Sequence, residues 1–327
     1  MPAWKSFVVP LGDHPNLTVT TGALATRILL QDGRAIGVEY TVGDTAPGST
    51  VSGTSHRALA RAEVIVSAGT IGSPKLLLLS GIGPAEHLRD VGVPVTVDLP
   101  GVGENLHDHL LVSNTYESRK PVPAGVNNLL EAKFYSFSRG ATTEAPDLQP
   151  LFLHLVYPAE SYPVPEQGYT IAPGLVAPKS RGTLRLASTD PAAAPLVDPN
   201  ILSDPYDLEA MVDAAEMCRE IGQAAAFDEW RGAEVAPDPS ATIRDELRDY
   251  VRRAVGTHHH RVGTCKMGDP DTDASVVVTP ELKVVGVQGL RVIDASIIPT
   301  VPAGNTNAPS IMIGEKGSDL ILNGASS

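Results

Sequence analysis

The 327-residue chain has only two cysteines, Cys218 and Cys265, too few for a disulfide framework. Both read as ordinary reduced thiols. Positive charge is also scarce. There are 25 Lys and Arg against 38 Asp and Glu, a net charge of −13. Such a surface repels phosphate backbones, which argues against a nucleic-acid partner. No long basic run offers a grip on anionic lipid. Long apolar runs are missing as well. The most apolar stretch, Leu76 to Leu79, is far too short to span a bilayer. Residues 1–10 hold one Lys and no apolar centre of signal-peptide length. No internal repeat or low-complexity segment stands out. Hydrophobic residues make up 42% and charged residues 19%, a globular balance with enough chain for a sizeable core. The default expectation is a soluble cytoplasmic protein.

The first third reads as strands with a connecting helix. Leu17 to Thr20 is a short β-prone run. Arg27 to Leu30 and Ala35 to Tyr40 flank Asp32-Gly33, and Asp-Gly between apolar runs is a strong hairpin signal. Ala62 to Val66 predicts another strand. It runs into Ser67-Ala68-Gly69-Thr70-Ile71-Gly72-Ser73-Pro74. Ser73 as N-cap and Pro74 as first helical residue predict a helix that ends before Gly81. A turn of small residues lets a ligand approach the backbone closely.

The middle, about 110–239, is rich in Pro and Ala and less regular. Arg181 to Ala187 alternates like a strand. Asp204-Pro205 opens a helix through Ile221, with Leu208, Met211, Val212, Ala215 and Cys218 on one face. Ala241 to Val255 predicts a second helix. Strands at Val276 to Val278 and Leu290 to Ile293 and a last helix from Asn307 to Leu322 complete the chain. This order suggests one domain interrupted by another.

Three segments carry candidate chemistry. The first is the turn and helix from Gly69 to Pro84. The second is Gly101-Val102-Gly103-Glu104-Asn105-Leu106-His107-Asp108-His109. The third is the tail: His258-His259-His260-Arg261-Val262-Gly263-Thr264, then Asp294-Ala295, then Pro302-Ala303-Gly304-Asn305-Thr306-Asn307. In this order the chain resembles the glucose–methanol–choline oxidoreductases, over about residues 16–322. The resemblance implies an α/β fold in which an FAD-binding domain is interrupted by an α+β substrate domain. The corresponding division is 1–109 and 257–327 for the FAD-binding parts and 110–256 for the substrate domain.

The resemblance also assigns roles. His260 takes the position of the active-site base, and Asn305 that of the second residue facing the substrate carbinol. Asp294 and Ala295 take the position of a pair beside the ribityl and phosphate region of FAD. Ala68, Gly69 and Asn105 would also lie beside FAD, with Asn307 along the flavin ring and Ala25 near the adenine end. The residue types suit alcohol oxidation. Imidazole titrates near neutral pH and can accept the hydroxyl proton. An amide can donate to a developing alkoxide without competing as a base. The flavin takes the hydride.

Plainer readings stand beside these. His258 and His259 read as polar residues at a helix end. His260 alone would read as a structural histidine, and only its motif makes it a base. Asn305 and Asn307 would otherwise be turn residues. His107-Asp108-His109 has the composition of a metal site, but nothing fixes further ligands and no metal is expected.

The family's Gly-x-Gly-x-x-Gly unit is missing. Gly101-Val102-Gly103 lacks the third glycine and the strand–helix setting, and Gly69-Thr70-Ile71-Gly72 lacks the first element. The expectation is therefore the substrate-side part of an FAD-dependent alcohol dehydrogenase or oxidase. It would bind FAD weakly or not at all alone, with a separate chain as one source of the missing Rossmann unit. An inactive fragment, a flavin-containing hydroxynitrile lyase and, more distantly, a metal-dependent hydrolase are the alternatives.

Overall fold

The computed structural model describes residues 3–44, 52–126, 130–157 and 162–324. Asp32 and Gly33 form the predicted turn, with φ of 49° and 76°. Two consecutive positive φ values give a turn whose twist matches its strands. The strands Ala23–Gln31 and Arg34–Asp44 pair antiparallel across it. A third strand, Ser52–Leu59, adds to the far side of Arg34–Asp44. Its polar sequence carries no strand pattern, so pairing with its neighbour decides its form. The run from Leu17 to Thr20 is not a strand.

The short strand Val64–Val66 pairs in parallel with Leu290–Val292. It runs directly into helix α1, Gly69–Leu79. The helix starts earlier than Ser73 and Pro74 suggest, and the reason is tertiary. Asp294 accepts hydrogen bonds from Gly69 N at 3.0 Å and Ser73 Oγ at 2.5 Å. A distant carboxylate thus caps the helix, and Pro74 lies inside it. Proline has no N–H for the carbonyl one turn back. That carbonyl, on Thr70, instead accepts Thr264 Oγ1 at 2.6 Å.

The middle holds a five-stranded antiparallel sheet. Its spatial order is Arg231–Ala236, Asn114–Ser118, Gly168–Ala172, Leu151–Leu153 and Leu130–Lys133. Thr183–Arg185, within the predicted strand, pairs with Leu196–Asp198. Four further α-helices are α2, Ala85–Asp90, α3, Pro205–Gly222, α4, Arg244–Ala254, and α5, Asn307–Gly324. Asp204 caps α3 through Tyr206 N, and Met211, Val212, Ala215 and Cys218 are buried as the periodicity predicts. Helix α4 starts later than predicted because Glu246 folds back onto Ile243 N at 3.1 Å. Val276 to Val278 is buried but forms no regular strand. The Val277 amide there goes to Lys266 O at 2.8 Å.

Two main cores result. One joins Leu77, Leu78, Ile82, Leu88 and Val102 to Val277, Val278, Leu290 and Val292. The beginning and end of the chain therefore share a core. The other joins Leu110, Leu148 and Leu175 to Met211, Val212 and Val251. Each fully buried aliphatic side chain contributes about 1.5–3 kcal/mol. Helices and strands are mixed throughout, as expected of an α/β protein. Cys218 and Cys265 are free and buried. Among the described residues no helix is long and apolar enough to cross a membrane.

Candidate active site

Residues 105–109 and 258–262 run antiparallel beside each other. His107 and Val262 exchange backbone hydrogen bonds at 3.0 and 2.8 Å, and His258 N donates to His109 O at 3.0 Å. Between these segments lies the buried carboxylate of Asp108. One oxygen accepts His260 N at 2.9 Å, and the other accepts the Thr257 hydroxyl. Arg261 Nε stands 3.6 Å away. A buried carboxylate with such donors is satisfied. Its work is to fix the backbone that carries His260.

The His260 ring faces two partners. Asn305 Nδ2 lies 3.1 Å from Nε2, and His109 Nδ1 lies 2.9 Å from Nδ1. An amide nitrogen can only donate, so Nε2 is the acceptor. The ring proton then belongs on Nδ1, where it is donated to His109. Burial lowers the His260 pKa. His259 and Lys133 push the same way, and Asp108 opposes them. The ring is therefore neutral at neutral pH, with its Nε2 lone pair turned toward Asn305. His109 beneath it is lowered to about 3, by burial and then by the neighbouring histidines.

Several contacts set the loop that carries Asn305. His107 Nδ1 accepts Val301 N at 3.0 Å, and its Nε2 donates to Pro178 O at 2.7 Å. The first of these bonds requires a neutral ring, because both nitrogens of a cationic ring are donors. Burial and the Arg181 cation lower its pKa to about 4. Asn105 Nδ2 donates to Pro299 O at 3.0 Å and to Gly263 O at 3.3 Å. Gly263 has φ of 96°, and a Cβ there would lie 2.4 Å from Asn105 O. That close approach requires glycine in the tail motif. Lys133 Nζ donates to Asn305 Oδ1 at 3.3 Å.

The candidate cofactor residues fall into one group with one outlier. Ala68 and Gly69 meet Asp294 at the start of α1, where Ala68 N donates to Ser73 Oγ at 3.0 Å. Asp294 also accepts Ser296 N at 2.8 Å. Its carboxylate is thus engaged by the chain itself. Ala295 O accepts Gly263 N at 3.4 Å, which links this corner to Asn105. The turn Ala295–Ile297 packs on both α1 and α5. Asn307 begins α5, and its first residues are exposed. Ala25 lies apart, on the strand Ala23–Gln31 opposite Tyr40. Among the described residues no hydrogen bond links it to the Asp294 corner.

His258 differs from its expected place. Helix α4 ends at Ala254, and the His258 ring turns inward to 4.4 Å from the His260 ring. Its pKa is lowered to about 4, mainly by burial. His259 has φ of 60° and faces out. That kink puts alternate histidines on the same side. Each of His109, His258 and His260 offers a nitrogen within 4.8 Å of the others, which could hold a metal ion. A tetrahedral ion with Zn–N bonds of about 2.0–2.1 Å needs nitrogens about 3.3 Å apart. His260 already has its nitrogens turned to Asn305 and His109. His107, which composition groups with His109, is not among these three, because its nitrogens are turned to Val301 N and Pro178 O.

Sequence reasoning missed the roles of Asp108, Thr257 and Lys133. Alternation along 107–109 could have set Asp108 apart from its neighbours. Nothing local to Lys133 marks it, because its strand is defined by distant pairing.

Comparison with known proteins identifies a family. A family profile described as GMC oxidoreductase matches residues 178–314, and a second of that description matches 3–111. The chain is 38% identical over 323 residues to choline oxidase of Arthrobacter globiformis, covering 97% of this chain and 58% of that protein. The structure of pyridoxine 4-oxidase from Mesorbium loti aligns with a TM-score of 0.86 and 31% identity, covering 95% of this chain and 59% of that one. An FAD-dependent oxidoreductase from Chaetomium thermophilum aligns with a TM-score of 0.80 and 25% identity, covering 95% and 63%. The chain thus spans about three-fifths of the length of each.

Proposed function

The chain belongs to the GMC oxidoreductase family, and from that premise we propose that it forms the substrate-facing part of an FAD-dependent alcohol oxidoreductase. The observation that carries this reading is the 3.1 Å approach of Asn305 Nδ2 to His260 Nε2. The Asn305 N–H now occupies the Nε2 lone pair, and a hydroxyl inserted between them takes over both bonds, donating to Nε2 and accepting from Nδ2. An alcohol entering there donates its proton toward Nε2. The Asn305 amide then donates to the oxygen as it gains negative charge. Proton transfer makes the His260 ring cationic, and Asp108 favours that form. FAD, when bound, supplies the hydride acceptor.

The residues fit that cofactor. Ser67 and Ala68 are exposed at the turn before α1, so a ligand can lie against the backbone. The exposed start of α5 presents the positive end of a helix, which favours an electron-rich group. Asp294 fixes this surface by holding Gly69 and Ser73. Ala68, Gly69, Asn105, Ala295 and Asn307 are the residues proposed to line it. Ala25 would meet only the far end of so long a ligand.

The test is to titrate FAD with an excess of the purified chain, following flavin fluorescence, and then to mix anaerobically with a neutral primary alcohol. The expected result is weak but saturable quenching of the flavin fluorescence, as the missing Gly-x-Gly-x-x-Gly unit implies, followed by bleaching of the flavin absorbance. A chain that takes up no FAD refutes the cofactor half of the reading. A yellow chain that no alcohol bleaches refutes the reaction half.

A further inference from the structure

The charge at the carbinol position is set by one side chain. Lys133 Nζ donates to Asn305 Oδ1 at 3.3 Å. Its side chain is exposed, so its charge faces the open site. This bond has two effects. It fixes the flip of the Asn305 amide, since the oxygen turns to the cation and the N–H to His260. It also puts a positive charge one amide width from the reacting hydroxyl.

No described carboxylate is free to balance a cationic substrate there. The titratable side chains acting on the His260 ring are Asp108, His259 and Lys133. Asp108 is spent on His260 N and the Thr257 hydroxyl, with Arg261 beside it. The nearby aromatic face is occupied too, because Lys133 Nζ lies 5.9 Å from the Tyr135 ring centroid. A quaternary ammonium group would meet a cation where it needs a carboxylate or a bare ring. A carboxylate would meet a partner. The chain as a whole is strongly acidic, so this local sign runs against its surroundings.

We propose that Lys133 makes this site select alcohols that carry a carboxylate over alcohols that carry a quaternary ammonium. The inference rests on His260 and Asn305 being the pair that faces the carbinol. Lys133 is exposed, so replacing it leaves the core intact.

The test compares two primary alcohols of similar length and opposite charge, 4-hydroxybutyrate and choline, with butan-1-ol as the neutral reference. Binding to the purified chain is followed by NMR at the His260 ring, assigned through His260→Ala. At low ionic strength 4-hydroxybutyrate should bind about tenfold more tightly than choline. The ratio should shrink as salt is raised. Lys133→Met should bring it near one, and Lys133→Glu should invert it. Choline binding as tightly as 4-hydroxybutyrate overturns the inference, as does a ratio that Lys133→Glu leaves unchanged. If butan-1-ol shifts the ring while the charged pair is unranked, this inference fails alone. If no alcohol shifts the ring, the functional reading fails and takes this one with it.

Discussion

Thr264 Oγ1 donates to Thr70 O at 2.6 Å and fills the place of the N–H that Pro74 lacks inside α1. The tail motif that carries His260 is thereby stitched to the helix before it. Thr264 is fully buried. Thr264→Val should leave the carbonyl unpaired and lower stability by about 1–3 kcal/mol. Thr264→Ser keeps the hydroxyl and should recover most of the loss. Urea midpoints of the three proteins measure this; equal midpoints for the valine and serine variants would refute it.

In the FAD-loaded protein, His260→Ala should slow alcohol-dependent flavin reduction by about 10²–10⁴, the usual contribution of a positioned base. Asn305→Ala should slow it by about 10²–10³, as loss of an oxyanion donor does elsewhere. Neither change touches the Asp294 corner, so FAD content should stay as in the parent. Stopped-flow rates together with flavin-to-protein absorbance ratios separate the two effects.

The pH dependence of that step has a definite sign. The base must be neutral, and burial holds the His260 pKa below its ordinary value. The acid limb of the rate profile should therefore lie below the free-imidazole range near 6.5. Lys133 also pushes this pKa down. Lys133→Met should move the limb to higher pH, whereas a limb that stays put would mean Lys133 does not act on the base.

Stability should respond to pH through three other rings. His107 and His258 are lowered to about 4 and His109 to about 3, in each case chiefly by burial. Above about pH 6.5 these rings are neutral whether the chain is folded or unfolded, and their contribution is fully present. As pH falls, the unfolded chain takes up protons first, and stability is lost down to the folded pKa values. His107→Gln should flatten the drop in urea midpoint between pH 6.5 and 4. An unchanged slope would show that His107 is not held neutral.

What could be read from sequence was decided locally. The Asp32-Gly33 turn and the Asp204-Pro205 start of α3 each depend on residues within a few positions. The start of α1 does not, because its cap lies 225 residues away on Asp294. Ser52–Leu59 is a strand only because Arg34–Asp44 is beside it. The approach of Asn305 to His260 was legible from the resemblance alone, since without it His260 reads as a structural histidine and Asn305 as a turn residue. Lys133 and Asp108 act through contacts spanning 172 and 152 residues, which no local pattern encodes.

The parallel pairing of Val64–Val66 with Leu290–Val292 also orders events in time. Ser67 bonds Ile293 across 226 residues, and Ser73 bonds Asp294 across 221. Closing so long a loop is entropically costly and slow compared with forming the hairpin at Asp32-Gly33. On the ribosome, α1 emerges long before the carboxylate that caps it. The antiparallel sheet between 114 and 236 can form meanwhile from segments already made. The corner where His260 meets Asn305 is thus among the last parts to assemble, and a chain halted before Asp294 would have its middle sheet but not that corner.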